Sequence, residues 1–356
     1  MYPALTVLQA LGSDAQPVLW VGGEGGMEAD LVKRANIPFE TVPAAGVHGV
    51  GLTHIPGNLW KLFRGWLASR RILRSFKPDV LLFTGGYVAV PMALAGIRYP
   101  SLLYVPDIEP GLALKVLARY SDTIALTAEE SHTFFHHKKT VVTGYPTRPD
   151  LGYWDRKSGR KALNLDPDQK TLLVFGGSKG ARSINQAILA VLPDLLKQMQ
   201  VIHITGNLDW EMVKGETQAL APDISMNYHP YPYLHEEMGA AFAAADLAVS
   251  RAGASVLGEL PRFGLPAILV PYPYAWRYQK VNADYLITKN AAVLLENEML
   301  SAKLLPLILD LFQNSSRLAE MKQAMFSLAK PDAAQKIAEV LREMAASQKH
   351  STGGAA

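Results

Sequence analysis

Gly176-Gly177-Ser178-Lys179-Gly180-Ala181-Arg182-Ser183-Ile184-Asn185 has the composition of an anion-binding turn. It follows the apolar run 171–175, which reads as a buried strand, and leads into 187–192, an apolar-rich stretch that fits a helix. Backbone N–H groups at such a turn, together with the positive end of the helix, hold a phosphate. Glycine lets the backbone approach the anion closely. The same sequence also fits a plain tight turn, so the surrounding residues decide its meaning.

A second turn of small residues, Ser250-Arg251-Ala252-Gly253-Ala254-Ser255, again lies between an apolar run and a helical stretch, 256–263. It suits a diphosphate. Glu259 falls on the first turns of that helix, where a carboxylate accepts two hydrogen bonds from a ribose diol. The alternative is a solvated glutamate that favours the helix dipole. Gln279 and Asn282 are three residues apart and share a helical face. Their amides suit sugar hydroxyls, or else form a polar helix surface.

The elements that position these residues follow a repeated strand–helix pattern. Short apolar runs at 17–21, 80–83, 102–105 and 123–126 predict a first parallel sheet. Runs at 171–175, 201–204, 247–250 and 267–270 predict a second. The expected fold is α/β, with a first domain over 1–150, a linker over 151–168 rich in Pro, Gly, Asp, Arg and Lys, and a second domain over 169–330. A terminal helix is expected over 331–346, packing back toward the first domain, and a disordered tail over 347–356.

Composition narrows the function. A chain of 356 residues suits two domains, and 49% hydrophobic residues argue against disorder. Cysteine is absent, which excludes disulfides and thiol chemistry. No apolar run reaches the roughly 18 residues of a spanning helix, and no signal-peptide pattern is visible. A net charge of +3 (35 basic against 32 acidic residues) does not point to nucleic acid. His132, His136 and His137 have a possible metal spacing, but no ligand set completes it.

Together these residues resemble the two-domain GT-B glycosyltransferases, and among them the MurG family. The matching pieces are Gly85-Gly86-Tyr87-Val88, Gly144-Tyr145-Pro146-Thr147-Arg148, both small-residue turns, 264–271, and Gln279-Lys280-Val281-Asn282-Ala283, all in the family's order. Met27-Glu28-Ala29-Asp30-Leu31-Val32 and Pro331-Asp332-Ala333 also match. The resemblance implies two Rossmann-like doubly wound domains facing a central cleft. It implies an inverting enzyme of peptidoglycan synthesis that moves N-acetylglucosamine from UDP-N-acetylglucosamine to an undecaprenyl-diphosphate-linked muramoyl-pentapeptide. No metal or other cofactor is implied, since a helix N-terminus and Arg148 stabilise a leaving diphosphate.

Residue roles follow from the same resemblance. Ser178, with Gly177, Lys179 and Gly180, holds the nucleotide side of the donor. Arg148 meets a donor phosphate, beside Arg251, Gly253 and Ala254 of the second turn. Glu259 takes the ribose, Gln279 and Asn282 the sugar, and Leu234 or His235 the uracil edge through backbone groups. Gly85, Gly86 and Tyr87 face the acceptor.

Three stretches depart from the family. Its members begin with a strand and a glycine loop ending in His, the proposed base, whereas here Tyr2-Pro3-Ala4-Leu5 follows Met1 at once. The expectation is a natural start upstream of Met1. Tyr104-Val105-Pro106-Asp107 stands where the family has an acceptor-facing His-Glu-Gln-Asn, which leaves Asp107 as the candidate base. Ala275-Trp276-Arg277-Tyr278 is bulky and basic before Gln279. Two alternatives therefore stand: a UDP-sugar transferase with another lipid acceptor, or an inactive UDP-sugar-binding membrane-associated protein.

A membrane face is also readable. Residues 41–78 contain no Asp or Glu, and Trp60, Phe63, Trp66 and Leu67 alternate with Lys61, Arg64, Arg70, Arg71 and Arg74. This pattern fits an interfacial helix on anionic lipid, or a core-facing helix with a basic outer face, and the resemblance to the MurG family implies the cytoplasmic side of the cell membrane.

Overall fold

The short apolar runs become parallel strands in both halves of the chain. In this computed structural model, residues 2–25, 28–44, 55–177, 180–217, 220–274 and 276–353 are described. The chain divides into two units, Met1–Pro146 with Asp332–Ala356, and Thr147–Pro331.

The first unit runs α1 (Tyr2–Leu11), β1 (Trp20–Gly23), α2 (Glu28–Arg34), β2 (Phe39–Val42), α3 (Ile55–Phe76), β3 (Leu81–Phe83), α4 (Ala89–Ala95), β4 (Ser101–Val105), α5 (Leu112–Tyr120), β5 (Thr123–Leu126) and β6 (Lys139–Val142). β1 and β2 form a parallel pair, and β3-β4-β5-β6 form a parallel sheet in that order. Every residue of β4 and β5 is buried, which is why those strands are apolar on both faces.

The second unit contains α6 (Arg156–Ala162), β7 (Thr171–Phe175), α7 (Arg182–Leu196), β8 (Gln200–Ile204), α8 (Trp210–Thr217), α9 (Pro222–Ser225), β9 (Tyr228–Tyr231), α10 (Met238–Ala244), β10 (Leu247–Ser250), α11 (Val256–Phe263), β11 (Ala267–Leu269), α12 (Trp276–Thr288), β12 (Ala292–Leu294), α13 (Leu300–Gln313) and α14 (Ser315–Ser327). Its sheet is parallel, in the order β12-β11-β10-β7-β8-β9. The chain winds outward on both sides of the β7–β10 pair. That pair is the topological switch point, where ligands bind in open α/β sheets.

The last helix, α15 (Ala333–Gly353), returns to the first unit. Ile337 and Leu341 pack with Val7, Leu102 and Tyr104. Arg342 Nε donates to Asp14 at 2.8 Å, and its Nη2 donates to the Ala10 carbonyl at 3.1 Å.

Three expectations are corrected. The 151–168 stretch contains α6, whose N-cap Asp155 exchanges hydrogen bonds with Ser158, and α6 packs on α10 within the second unit. The division falls after residue 146 instead of 150. α15 continues through residue 353, because 345–350 contains no helix breaker to end it at 346.

Candidate functional site

The first glycine turn connects β7 to α7 as the sequence predicts. Gly177 and Gly180 have φ of +87° and +78°. A Cβ on Gly180 would lie 2.2 Å from the Thr205 carbonyl oxygen, so this turn admits only glycine there. Ser178 and Lys179 lie outside the described residues. The second turn starts beside the first: Ser250, the end of β10, is the register partner of Phe175, the end of β7. Two helix N-termini, of α7 and α11, thus follow adjacent strands at the switch point. Among the described residues, no atom lies within 4 Å of where a Cβ on Gly253 would stand, and Ala254 beside it is half-buried.

Glu259 is the fourth residue of α11. Desolvation lifts its carboxyl group to about 7, against the opposing effects of the Ser255 hydroxyl and the Arg148 charge. Arg148 Nη1 donates to the His235 carbonyl oxygen at 3.1 Å and lies 3.6 Å from the Asp150 carboxylate. The structure therefore brings Arg148, Glu259 and His235 together, though they lie far apart in sequence. Leu234 is buried and His235 exposed. The Tyr233 and His235 rings are 4.6 Å apart.

Arg251 is committed within the fold. Its Nη1 donates to the carbonyls of Val270 (3.1 Å) and Pro271 (3.2 Å) and to Asn297 Oδ1 (3.0 Å), and its Nη2 donates to Ser183 Oγ (2.7 Å). It ties the start of α7 to the end of β11, with its guanidinium 5.3 Å from the Tyr272 ring centre. Gln279 Oε1 accepts from the Tyr272 backbone N–H at 2.9 Å, which leaves its amide nitrogen as the donor for a ligand. Asn282 departs from its expected place on a shared sugar-facing surface. It is fully buried, and its Nδ2 donates to the Ala252 carbonyl at 3.1 Å, so it holds the second turn from beneath.

In the first unit, Gly85 and Gly86 have φ of +108° and +88° on the β3–α4 turn, and Tyr87 beside them is exposed. Asp107 sits two residues beyond β4, half-buried. Tyr104 does not face an acceptor. It is buried with Val7 and Ile337, and its hydroxyl is 2.9 Å from Thr127 Oγ1. The sequence reading missed Glu109, a buried acid with an oxygen 3.4 Å from Lys115 Nζ. Its spacing from Lys115 fits no regular period, so no sequence signal marked the pair.

The aromatic side of α3 is exposed. Trp60 is 61% and Phe63 47% exposed, and the rings of Trp60, Phe63 and Trp66 stack in series at 5.7 and 6.0 Å. The Arg70 guanidinium lies 4.8 Å from the Trp66 ring centre, and Arg64 and Arg71 are exposed. Gly65, Ser69 and Leu73 form the buried side. Trp60 and Phe63 are thus not core residues. No described helix is long and apolar enough to cross a membrane.

Among the described residues, no group of three His, Asp or Glu is placed to hold a metal. His132 Nδ1 is bonded to Thr140 Oγ1 at 2.7 Å, and Asp166 Oδ1 accepts from the Asp168 backbone N–H at 2.8 Å.

Comparison with known proteins gives two matches in chain order: the glycosyltransferase family 28 N-terminal domain at residues 1–126, and its C-terminal domain at 171–337. The UDP-N-acetylglucosamine--N-acetylmuramyl-(pentapeptide) pyrophosphoryl-undecaprenol N-acetylglucosamine transferase of Roseiflexus sp. (strain RS-1) is 39% identical, over 92% of this chain and 83% of that protein. The enzyme of the same name from Desulforamulus reducens is 36% identical, over 94% and 92%. The crystal structure of Acinetobacter baumannii MurG matches with a TM-score of 0.77 and 26% identity, over 96% of this chain and 95% of that one. Taken with the two glycine turns at the switch point, these matches show that the chain belongs to glycosyltransferase family 28.

Proposed function

We propose that the chain transfers N-acetylglucosamine from UDP-N-acetylglucosamine to an N-acetylmuramyl-(pentapeptide) pyrophosphoryl-undecaprenol acceptor. The observation that carries the donor half is the pairing of two glycine turns at adjacent helix N-termini with Glu259 and Arg148. The names of the relatives support the acceptor.

In this reading an acceptor hydroxyl oxygen attacks the anomeric carbon in line. The new C–O bond forms as the bond to the diphosphate breaks, and the configuration inverts. Charge growing on the leaving UDP is met by N–H groups of the 176–181 turn and by Arg148, without a metal. Gln279 donates to a sugar hydroxyl, and the carboxylate of Glu259 accepts from the ribose. Asp107 takes the proton of the acceptor hydroxyl. Exposed aromatic and basic residues of α3 support peripheral attachment to an anionic membrane surface, where a lipid-linked acceptor resides.

The test is turnover of UDP-N-acetylglucosamine with the muramyl-pentapeptide lipid, followed by UDP release. Release that requires this lipid supports the assignment. UDP binding with no turnover on it, in the presence of membranes, sinks the acceptor assignment and leaves the donor reading standing.

A further inference from the structure

Beneath the first glycine turn runs a chain of buried polar groups. Tyr228 hydroxyl is 2.8 Å from His203 Nδ1, and His203 Nε2 is 3.0 Å from Asn185 Oδ1. Asn185 Nδ2 donates to the Thr205 carbonyl and to Asp209 Oδ2, both at 2.9 Å. Arg182 Nε donates to Asp209 Oδ1 at 2.8 Å. His203, Asn185 and Thr205 are fully buried and Asp209 is 3% exposed, whereas the Arg182 side chain is 67% exposed.

The directions of these bonds are determined. Both hydrogens of the Asn185 amide go to obligatory acceptors, so its Oδ1 accepts from His203 Nε2–H. His203 Nδ1 therefore accepts from the Tyr228 hydroxyl. The ring is held neutral, because burial pushes its pKa down to about 3.

The chain ends at two places on the turn. The Thr205 carbonyl is the group against which Gly180 packs. Asp209 holds Arg182, the first residue of α7, by one edge. Asp209 supplies the counter-charge that a cation at a helix N-terminus needs. The buried carboxylate engages Nε and restricts an exposed guanidinium next to the glycine turn, and a guanidinium restricted in this way can make charge-assisted bonds to a phosphate through its terminal nitrogens.

We propose that Arg182 is a phosphate-binding residue of the donor site, and that Asp209, Asn185 and His203 are the positioning residues that hold it there. This rests on the reading of the glycine turns as a nucleoside-diphosphate site.

The test compares UDP with uridine, which lacks the phosphates, by ligand-detected NMR titration of the full chain. Arg182→Ala, at an exposed side chain, weakens UDP about tenfold, the scale of a lost charge-assisted hydrogen bond, and leaves uridine unchanged. Asp209→Asn reproduces that pattern. His203→Gln, whose amide supplies one donor and one acceptor, stays near the parent, whereas His203→Leu loses UDP affinity selectively. Arg182→Ala decides the matter alone if the buried variants do not fold. Equal losses for UDP and uridine, or an unchanged UDP affinity in Arg182→Ala, overturn the proposal. A parent chain that binds neither ligand overturns the donor reading itself.

Discussion

In the proposed reaction Glu259 acts as an anion, in surroundings that favour the neutral acid. Desolvation raises its carboxyl from 4.5 to about 7. Between those values the unfolded chain binds fewer protons than the folded one, so this residue makes stability fall as pH rises from about 4.5 to about 7. Ribose hydroxyls are better held by the carboxylate, so UDP affinity rises over the upper part of the same range. Calorimetric titration with UDP at pH 6 and pH 8 should show tighter binding at pH 8. Glu259→Gln should flatten that dependence and raise the melting temperature at pH 8. Glu259→Ala should cost about 1–3 kcal/mol of UDP binding, the scale of an unmatched hydrogen-bonding group. An unchanged affinity in a folded Glu259→Ala chain would show that Glu259 does not hold UDP. The sequence marked Glu259 because its spacing from a turn is local. It gave no warning that Arg251 and Asn282 turn inward, since side-chain direction depends on Val270, Asn297 and Ala252, which lie elsewhere in the chain.

At the level of elements, the turn–helix pairs were legible and the short edge strands were not. β7, β10 and α11 fall where periodicity and glycine place them. β2, β6 and β9 are four-residue strands with mostly partial exposure, and β12 has three residues. Their pairing with a neighbour, more than their own pattern, makes them strands. The Gly180 turn gives a direct test. Gly180→Ala places a methyl group against the Thr205 carbonyl at positive φ, and should cost about 1–3 kcal/mol in urea unfolding and weaken UDP as well. The exposed face of α3 gives another. Trp60→Ser with Phe63→Ser should abolish sedimentation with anionic liposomes. The parent's binding should fall with salt, each basic residue contributing about 1 kcal/mol near the surface. Salt-independent binding, or binding that survives both substitutions, would place the anchor elsewhere.

The two units differ in continuity. The second is one uninterrupted segment, Thr147–Pro331, and its described core closes without the rest of the chain. A 147–331 fragment should therefore fold and bind UDP within about fivefold of the full chain, a loss of no more than ~1 kcal/mol. The first unit is assembled from two segments. Removing 332–356 uncovers Leu102, Tyr104 and Val7, and should leave the first unit open to limited proteolysis while UDP binding persists. Loss of UDP binding on that truncation would show that the units are not independent. The sequence pattern predicts a helix ending at 346, yet no breaker stands before Gly353 and α15 runs on to it.

The return of α15 sets an order of events at the ribosome. β4 emerges early, yet the helix that covers its Tyr104 side emerges only after the whole second unit. At ~5–20 residues per second, translating the roughly 230 residues between β4 and α15 takes about 11–45 s. Throughout that interval the first-made half waits with an apolar surface bare while the later-made half is already able to fold. A cell making this chain must shield its beginning until its end arrives.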